Sequence, residues 1–347
     1  MTKKTLIVIH GMGTHTEATV KKEVTSVLES VFRTYTSLKD KKPSDFFDLV
    51  VVEYNSFFED YRKALTNRTD VIAALRGVQG NFPLLPKAAD EIAGLEQELT
   101  NDSFFATHWL DVILYRFTLL AEPIRLKVAE AIVKAVIEKG SSNVHVLGHS
   151  LGTAVVHDTL AKLYGPIPGP TNLSNTSDRL GGVHQVANVS RLLQTFSKVG
   201  SSDVRPGIGC CTVFTEHRHK FDPFTKFKPF DPINNGEWIP ANTFRSAYLL
   251  NEPNEVTSTN VHALGHYLLN PSVHLPLLRQ LRVFPRMPNA TERAEAEDAY
   301  LSQTVQGKAI AVRDAFEQID ASEPSIRKLI MAAKDFKDLV ESFKESF

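Results

Sequence analysis

Ser150 lies in Gly148-His149-Ser150-Leu151-Gly152, after an apolar strand-like run (Val144-His145-Val146-Leu147) and before a helix-like run (Thr153 to Leu163). A serine flanked by glycines at such a junction sits on a sharp strand-to-helix turn that lifts its hydroxyl above the end of a sheet. The glycines answer a steric need. A strained serine backbone pushes its neighbours against the adjoining strand and helix, where a Cβ would collide. The chemistry of such a hydroxyl is nucleophilic attack on an acyl carbonyl, once a base accepts its proton.

A second feature belongs to the same chemistry. Thr5-Leu6-Ile7-Val8-Ile9 reads as a buried strand and runs straight into His10-Gly11-Met12-Gly13. A nucleophile on a sheet-top elbow needs two backbone N–H donors facing the carbonyl oxygen, one after the serine and one from an early H-G loop. Those donors are read as the amides of Met12 and Leu151. Losing one such donor typically costs about 3–4 kcal/mol of transition-state stabilisation. His10, Gly11, Gly13 and His149 are read as supporting hydrogen-bonding and turn residues rather than proton carriers. A dinucleotide-binding turn is the alternative for Gly11-Met12-Gly13, but Thr16 stands where the third glycine of that fingerprint belongs.

Where a sheet-top serine of this kind works with a triad in an α/β fold, the acid and then the histidine follow it in chain order. Cys210-Cys211-Thr212-Val213-Phe214 reads as a late strand, within a longer strand expected over Gly207 to Glu216. It leads to Asp222-Pro223-Phe224, where proline ends regular structure and leaves Asp222 on a turn. Asp222 is the expected acid. Asp231, in a second Asp-Pro step, is the runner-up, and Glu216 is expected to stay within the strand; Asp-Pro also serves as an ordinary turn cap. The base is expected from Asn260-Val261-His262-Ala263-Leu264-Gly265-His266-Tyr267-Leu268. His262, where a loop becomes a helix, is preferred over His266, one turn further in, and over His274. The aspartate would orient the imidazole and stabilise its protonated form. His217 with His219, and His262 with His266, also suggest zinc, yet there is no H-E-x-x-H and no C-x-x-C. No catalytic metal or cofactor is expected.

The elements that must position these groups alternate. After the first strand, Thr16 suits a helix N-cap, with Val20, Val24, Val27 and Val31 on one face. Phe46 to Glu53 reads as the next strand. Pro123 to Lys139 reads as an amphipathic helix carrying Ile124, Val128, Ile132 and Val136, with Gly140 past its end. Residues 165–182, rich in Gly, Pro, Ser and Asn, read as a loop, followed by strands at Val183 to Val189, 207–216 and Phe244 to Leu250. Alternation of this kind predicts an α/β fold with a mostly parallel central sheet covered by helices on both faces. Residues 56–116 mix aromatic residues with helical periods and read as a helical insertion, either a cap shaping the acyl pocket or an extra layer on the scaffold. From about residue 289 the chain changes character, with Asn289 to Ile319 and Pro324 to Phe347 charge-rich and helical. Ile326, Ile330, Ala333, Phe336, Val340, Phe343 and Phe347 form an apolar stripe there. It is read as packing on its own domain or, alternatively, as a homodimer face.

Bulk properties exclude several classes. The chain has 347 residues, 42% hydrophobic and 23% charged, in the range of folded globular proteins. Its 39 basic and 40 acidic residues give a net charge of −1, so nothing draws it to nucleic acid by long-range attraction. No apolar stretch approaches the ~20 residues of a membrane span. The start of the chain shows no apolar core of a leader peptide, and adjacent Cys210 and Cys211 point to opposite faces of a strand. A reducing, cytoplasmic location is expected.

Ile7-Val8-Ile9-His10-Gly11-Met12-Gly13, Gly148-His149-Ser150-Leu151-Gly152 and the later Asp222 and His262 together resemble the α/β-hydrolase superfamily, and within it bacterial serine esterases and lipases. The resemblance covers roughly residues 5 to 285. It implies a catalytic domain over 1–285, with 56–116 inserted and 286–347 as a helical extension. The family's first antiparallel strands would be missing. It also implies hydrolysis of a small-molecule carboxylic ester, of short to medium acyl chain, through an acyl-enzyme and without a cofactor. Lipase, phospholipase, thioesterase and acyltransferase chemistry use the same machinery. A non-catalytic binding protein on the same scaffold is the reading from a different class.

Overall fold

The computed structural model describes residues 2–11, 16–64, 121–165, 172–193, 204–226, 228–234, 247–284 and 287–302, with single positions between 111 and 115, at 238, and between 314 and 342. Most of the inserted segment, and much of the C-terminal stripe, lie outside the described residues.

In chain order the elements are β1 (Lys4–Ile9), α1 (Glu17–Thr34), β2 (Phe47–Val52), α2 (Asn55–Ala64), α3 (Ala121–Lys139), β3 (Val144–His149) and α4 (Leu151–Leu163). There follow β4 (Leu180–Val186), α5 (Ser190–Leu193), β5 (Cys211–His217), α6 (Pro223–Lys226), β6 (Tyr248–Asn251), α7 (Leu264–Leu269), α8 (Pro271–Gln280) and α9 (Ala290–Leu301). The six strands pair in parallel in the order β2-β1-β3-β4-β5-β6. This is the α/β architecture that the alternation predicts.

Helix boundaries follow from local chemistry. Thr16 caps α1 by accepting from the Thr19 amide at 3.2 Å, and Thr19 Oγ1 accepts in return from the Thr16 amide at 2.9 Å. Two orphan donors are satisfied at once. The helix then buries Val20, Val24, Leu28 and Val31. Beyond α3, Gly140 leaves the helix at φ 80° and ψ 139°, a positive-φ conformation that glycine adopts without the clash a Cβ would bring.

Successive strand residues face opposite sides, so each strand feeds two cores. Ile7, Ile9, Val146, Val183 and Phe214 pack with Ile124, Val128 and Ile132 of α3 and with Val155 and Leu160 of α4. Leu6, Val8, Leu147 and Val186 pack with Val24 and Leu28 of α1, Tyr267 of α7 and Leu277 of α8. The sheet is thus covered on both faces. Right-handed crossovers demand this: β2 and β3 flank β1 on opposite sides, so α1 and α3 must lie on opposite faces. The loops leaving β1 and β3 therefore diverge, opening the crevice in which doubly wound sheets place their ligands.

Two strand boundaries differ from expectation. β4 begins at Leu180, three residues early, because Leu180 pairs with β5 and Gly182 with both β3 and β5 in ladders that need only backbone groups. It ends at Val186 because Ala187 turns the chain with φ 50°. β5 begins at Cys211 rather than Gly207, which sits in a turn at φ 72°. For the last strand, 247–251 is described, with Tyr248–Asn251 in the sheet; 244–246 lie outside the described residues.

The first helix of the C-terminal region docks on the sheet domain. Glu292 accepts from Ser37 through its amide (2.9 Å) and hydroxyl (2.8 Å), while Ala296 and Tyr300 are buried. Further on, Ala332, Phe336 and Val340 are buried in the core that holds α3 and α4. Among the described residues, no helix is long and apolar enough to cross a membrane.

Candidate active site

Ser150 is the single residue between β3 and α4, with φ 53° and ψ −126°. That conformation is strained for any residue with a Cβ. Its neighbours hold it there. The Ser150 amide donates to Val186 O (3.1 Å), and Ser150 O accepts from the amide (2.9 Å) and hydroxyl (2.6 Å) of Thr153. The Thr153 hydroxyl also accepts from the Val189 amide at 3.0 Å, joining the elbow to the loop after β4.

Close backbone approach explains two glycines. A Cβ on Gly152 would fall on Ile9 O and within 2.5 Å of His10 O, so α4 reaches β1 only with hydrogen at that position. A Cβ on Gly11 would lie 2.8 Å from Ser150 Cβ and 3.3 Å from its Oγ. The loop after β1 therefore passes directly beside Ser150. His10 stacks on Tyr54 (centroids 4.9 Å apart, planes 5° apart), and the Tyr54 hydroxyl donates to His10 O at 2.6 Å. The base of that loop is pinned to the end of β2.

Three side chains distant in sequence meet at this crevice. His262 Nε2 lies 2.8 Å from Ser150 Oγ, and His262 Nδ1 lies 2.8 Å from Asp222 Oδ2. With Nδ1–H donating to the carboxylate, Nε2 is left to accept the serine proton. Asp222 is fully buried, Ser150 is 4% exposed, and the His262 side chain is 15% exposed. The imidazole is thus the member of the chain that reaches solvent.

The electrostatics favour an ionised aspartate and a neutral second histidine. Burial works against the Asp222 charge, but the His262 ring, the hydrogen bonds from His262 and Tyr267, and His219 outweigh it, holding the carboxyl below its usual range. Asp222 Oδ1 also accepts from the Phe224 amide at 3.1 Å. Burial, aided by neighbouring His262, pushes the His149 imidazole down to about 3. Neutral His149 donates from Nε2 to His262 O at 2.8 Å, which fixes the loop that carries His262.

Leu151 is the first residue of α4, so its amide has no acceptor within the helix and lies at the positive end of the helix dipole. Met12 and Gly13 lie outside the described residues. The alternatives to the three central residues sit elsewhere. His266 is buried, with Nε2 accepting from the Thr257 amide at 3.4 Å. His274 joins Tyr35 Oη (2.6 Å) to Leu268 O (2.9 Å). Asp231 caps its own turn by accepting from the Asn234 amide at 3.2 Å and its side-chain Nδ2 at 2.8 Å. Glu216 is buried within β5, and burial pushes its carboxyl up to about 8. His217 and His219 diverge: one lies 3.2 Å from Asn251 Nδ2, the other 3.1 Å from Glu255 O.

Three contributors have no sequence signature. Thr153 ties the elbow down, Tyr267 donates to Asp222 Oδ2 at 2.8 Å, and the Phe224 ring lies on His262 with centroids 4.5 Å apart. A buried tyrosine requires a partner for its hydroxyl, which was the available clue to Tyr267. Comparison with known proteins finds no match, either to a family model or to a curated sequence.

Proposed function

We propose that this protein is a serine hydrolase of the α/β-hydrolase type that cleaves carboxylic esters through an acyl-enzyme. The reading is carried by one observation: the Ser150–His262–Asp222 chain, with both contacts at 2.8 Å, at a positive-φ serine beginning a helix. His262 Nε2 accepts the hydroxyl proton as Ser150 Oγ attacks the ester carbonyl, and Asp222 stabilises the imidazolium formed. The Leu151 amide and the α4 dipole face the developing oxyanion. His262 then protonates the leaving alkoxide and activates water, whose attack releases the acid and restores Ser150. The Phe224 ring beside His262 gives that side of the site an apolar wall, which fits a small ester more readily than a charged substrate. Free buried Cys210 and Cys211 fit a reducing, cytoplasmic setting.

The test is covalent labelling with a fluorophosphonate, followed by mass mapping and p-nitrophenyl ester assays. Label on the Ser150 peptide is expected, and Ser150→Ala should lose label and turnover while keeping its circular dichroism. A folded Ser150→Ala protein with full activity would refute the mechanism.

A further inference from the structure

We propose that Tyr267 is a positioning residue for this site, its hydroxyl holding the Asp222 oxygen that orients His262. Asp222 Oδ2 accepts two hydrogen bonds, from His262 Nδ1 (2.8 Å) and from the Tyr267 hydroxyl (2.8 Å). The hydroxyl in turn accepts from the His219 amide at 2.9 Å. A phenol has one proton to give, so with the amide arriving from one side, that proton is directed at the carboxylate. Asp222 and Tyr267 are both fully buried. A buried carboxylate stays ionised only while several donors face it, and here those are His262, Tyr267 and the Phe224 amide.

The placement has a mechanical logic. His262 and Tyr267 belong to one short stretch entering α7, whereas His219 and Asp222 belong to the loop leaving β5. Two hydrogen bonds to one oxygen, and a third from His219 to the tyrosine, join base and acid segments. A tether serving stability alone has no need to end on the atom that orients the imidazole. Sharing Oδ2 also disperses its charge, so the second donor tempers the pull of Asp222 on the histidine proton.

The kinetic consequence rests on the hydrolase reading, but the hydrogen bond can be followed without it. Tyr267→Phe keeps the ring and removes the donor. With p-nitrophenyl acetate, kcat should fall roughly tenfold with KM unchanged, as expected when the carboxylate no longer holds the imidazole in line for proton transfer while substrate binding is untouched. The acidic limb of the kcat/KM profile should move to higher pH. Site-specific replacement of Tyr267 by difluorotyrosine, a stronger donor that preserves the fold, should move that limb to lower pH. In parallel, the downfield proton resonance of His262 Nδ1–H, assigned by its loss in His262→Gln, should move further downfield in Tyr267→Phe and upfield with difluorotyrosine. If wild type neither turns over ester nor takes the fluorophosphonate, the hydrolase reading fails while the resonance still reports on Tyr267. Superimposable resonances across wild type and both tyrosine replacements would overturn the proposal, as would unchanged pH profiles with only a lowered Tm.

Discussion

Ser150 holds φ 53° because everything around it leaves no alternative. Val186 O takes its amide, Thr153 supplies two donors to its carbonyl, and neither Gly11 nor Gly152 presents a Cβ to push back. A non-glycine residue so placed stores about 1–3 kcal/mol of strain. Glycine relieves that strain, although its freer unfolded chain offsets up to about 1 kcal/mol of the gain. Ser150→Gly is therefore expected to be more stable than Ser150→Ala by about 1 kcal/mol, both variants being inactive. Urea denaturation of the two proteins measures the difference. An alanine variant as stable as the glycine variant would mean that the elbow carries no strain. His149 contributes at the same scale in another way: an imidazole kept neutral by its surroundings acts as a fixed hydrogen-bond donor to the backbone of His262.

At the scale of elements, α9 shows how a helix beyond the sheet becomes part of the same body. Glu292, in its first turn, accepts from both the amide and the hydroxyl of Ser37, beside the end of α1. Glu292→Ala leaves a part-buried amide without its acceptor, so a loss of about 1–3 kcal/mol in unfolding free energy is expected. Ester turnover at 25 °C should be unchanged, because Glu292 touches none of Ser150, His262 or Asp222. Unaltered stability would show that α9 is held by its apolar contacts alone. The alternation of strands and helices was legible because buried parallel strands are continuous apolar runs and α1 and α3 carry apolar stripes. Ser150 was legible from its flanking glycines, and Asp222 and His262 from chain order and neighbouring breaks. Tyr267 and Thr153 were not, because their roles exist only once segments far apart in sequence are in contact. Ser150 and His262 are 112 residues apart, and no local pattern records which tyrosine will lie beneath their aspartate. The glycines at 181 and 182, inside β4, misread as loop for a related reason: composition ignores the ladder partners that neighbouring strands offer to Leu180 and Gly182.

Across the whole molecule, the sheet and its helices bury histidines that take part in no proposed chemistry. His145 and His184 meet at 3.3 Å on neighbouring strands, and His217 lies one strand further on. Burial drives His184, His217 and His266 down to about 3 and His274 to about 4, and it also lowers His145 and His149. In the unfolded chain each titrates near 6.5. Below that pH the unfolded state binds more protons, so the stability these six groups contribute is complete above about 6.5 and is lost as pH falls below it. Each of the five histidines held near 3 or 4 contributes about 1.4 kcal/mol per pH unit across that window, so the five together approach about 7 kcal/mol per unit. Glu216 acts in the opposite sense, since its raised value near 8 lets the folded state take up a proton first as pH falls. One proton does not offset six. A domain stable by about 5–15 kcal/mol is thus expected to unfold cooperatively between about pH 6 and pH 5, above the usual range in which exposed carboxylates protonate. Far-ultraviolet circular dichroism against pH reads the midpoint, and its steepness should correspond to several protons. A native signal persisting to pH 4 would mean that these imidazoles accept protons without leaving the fold.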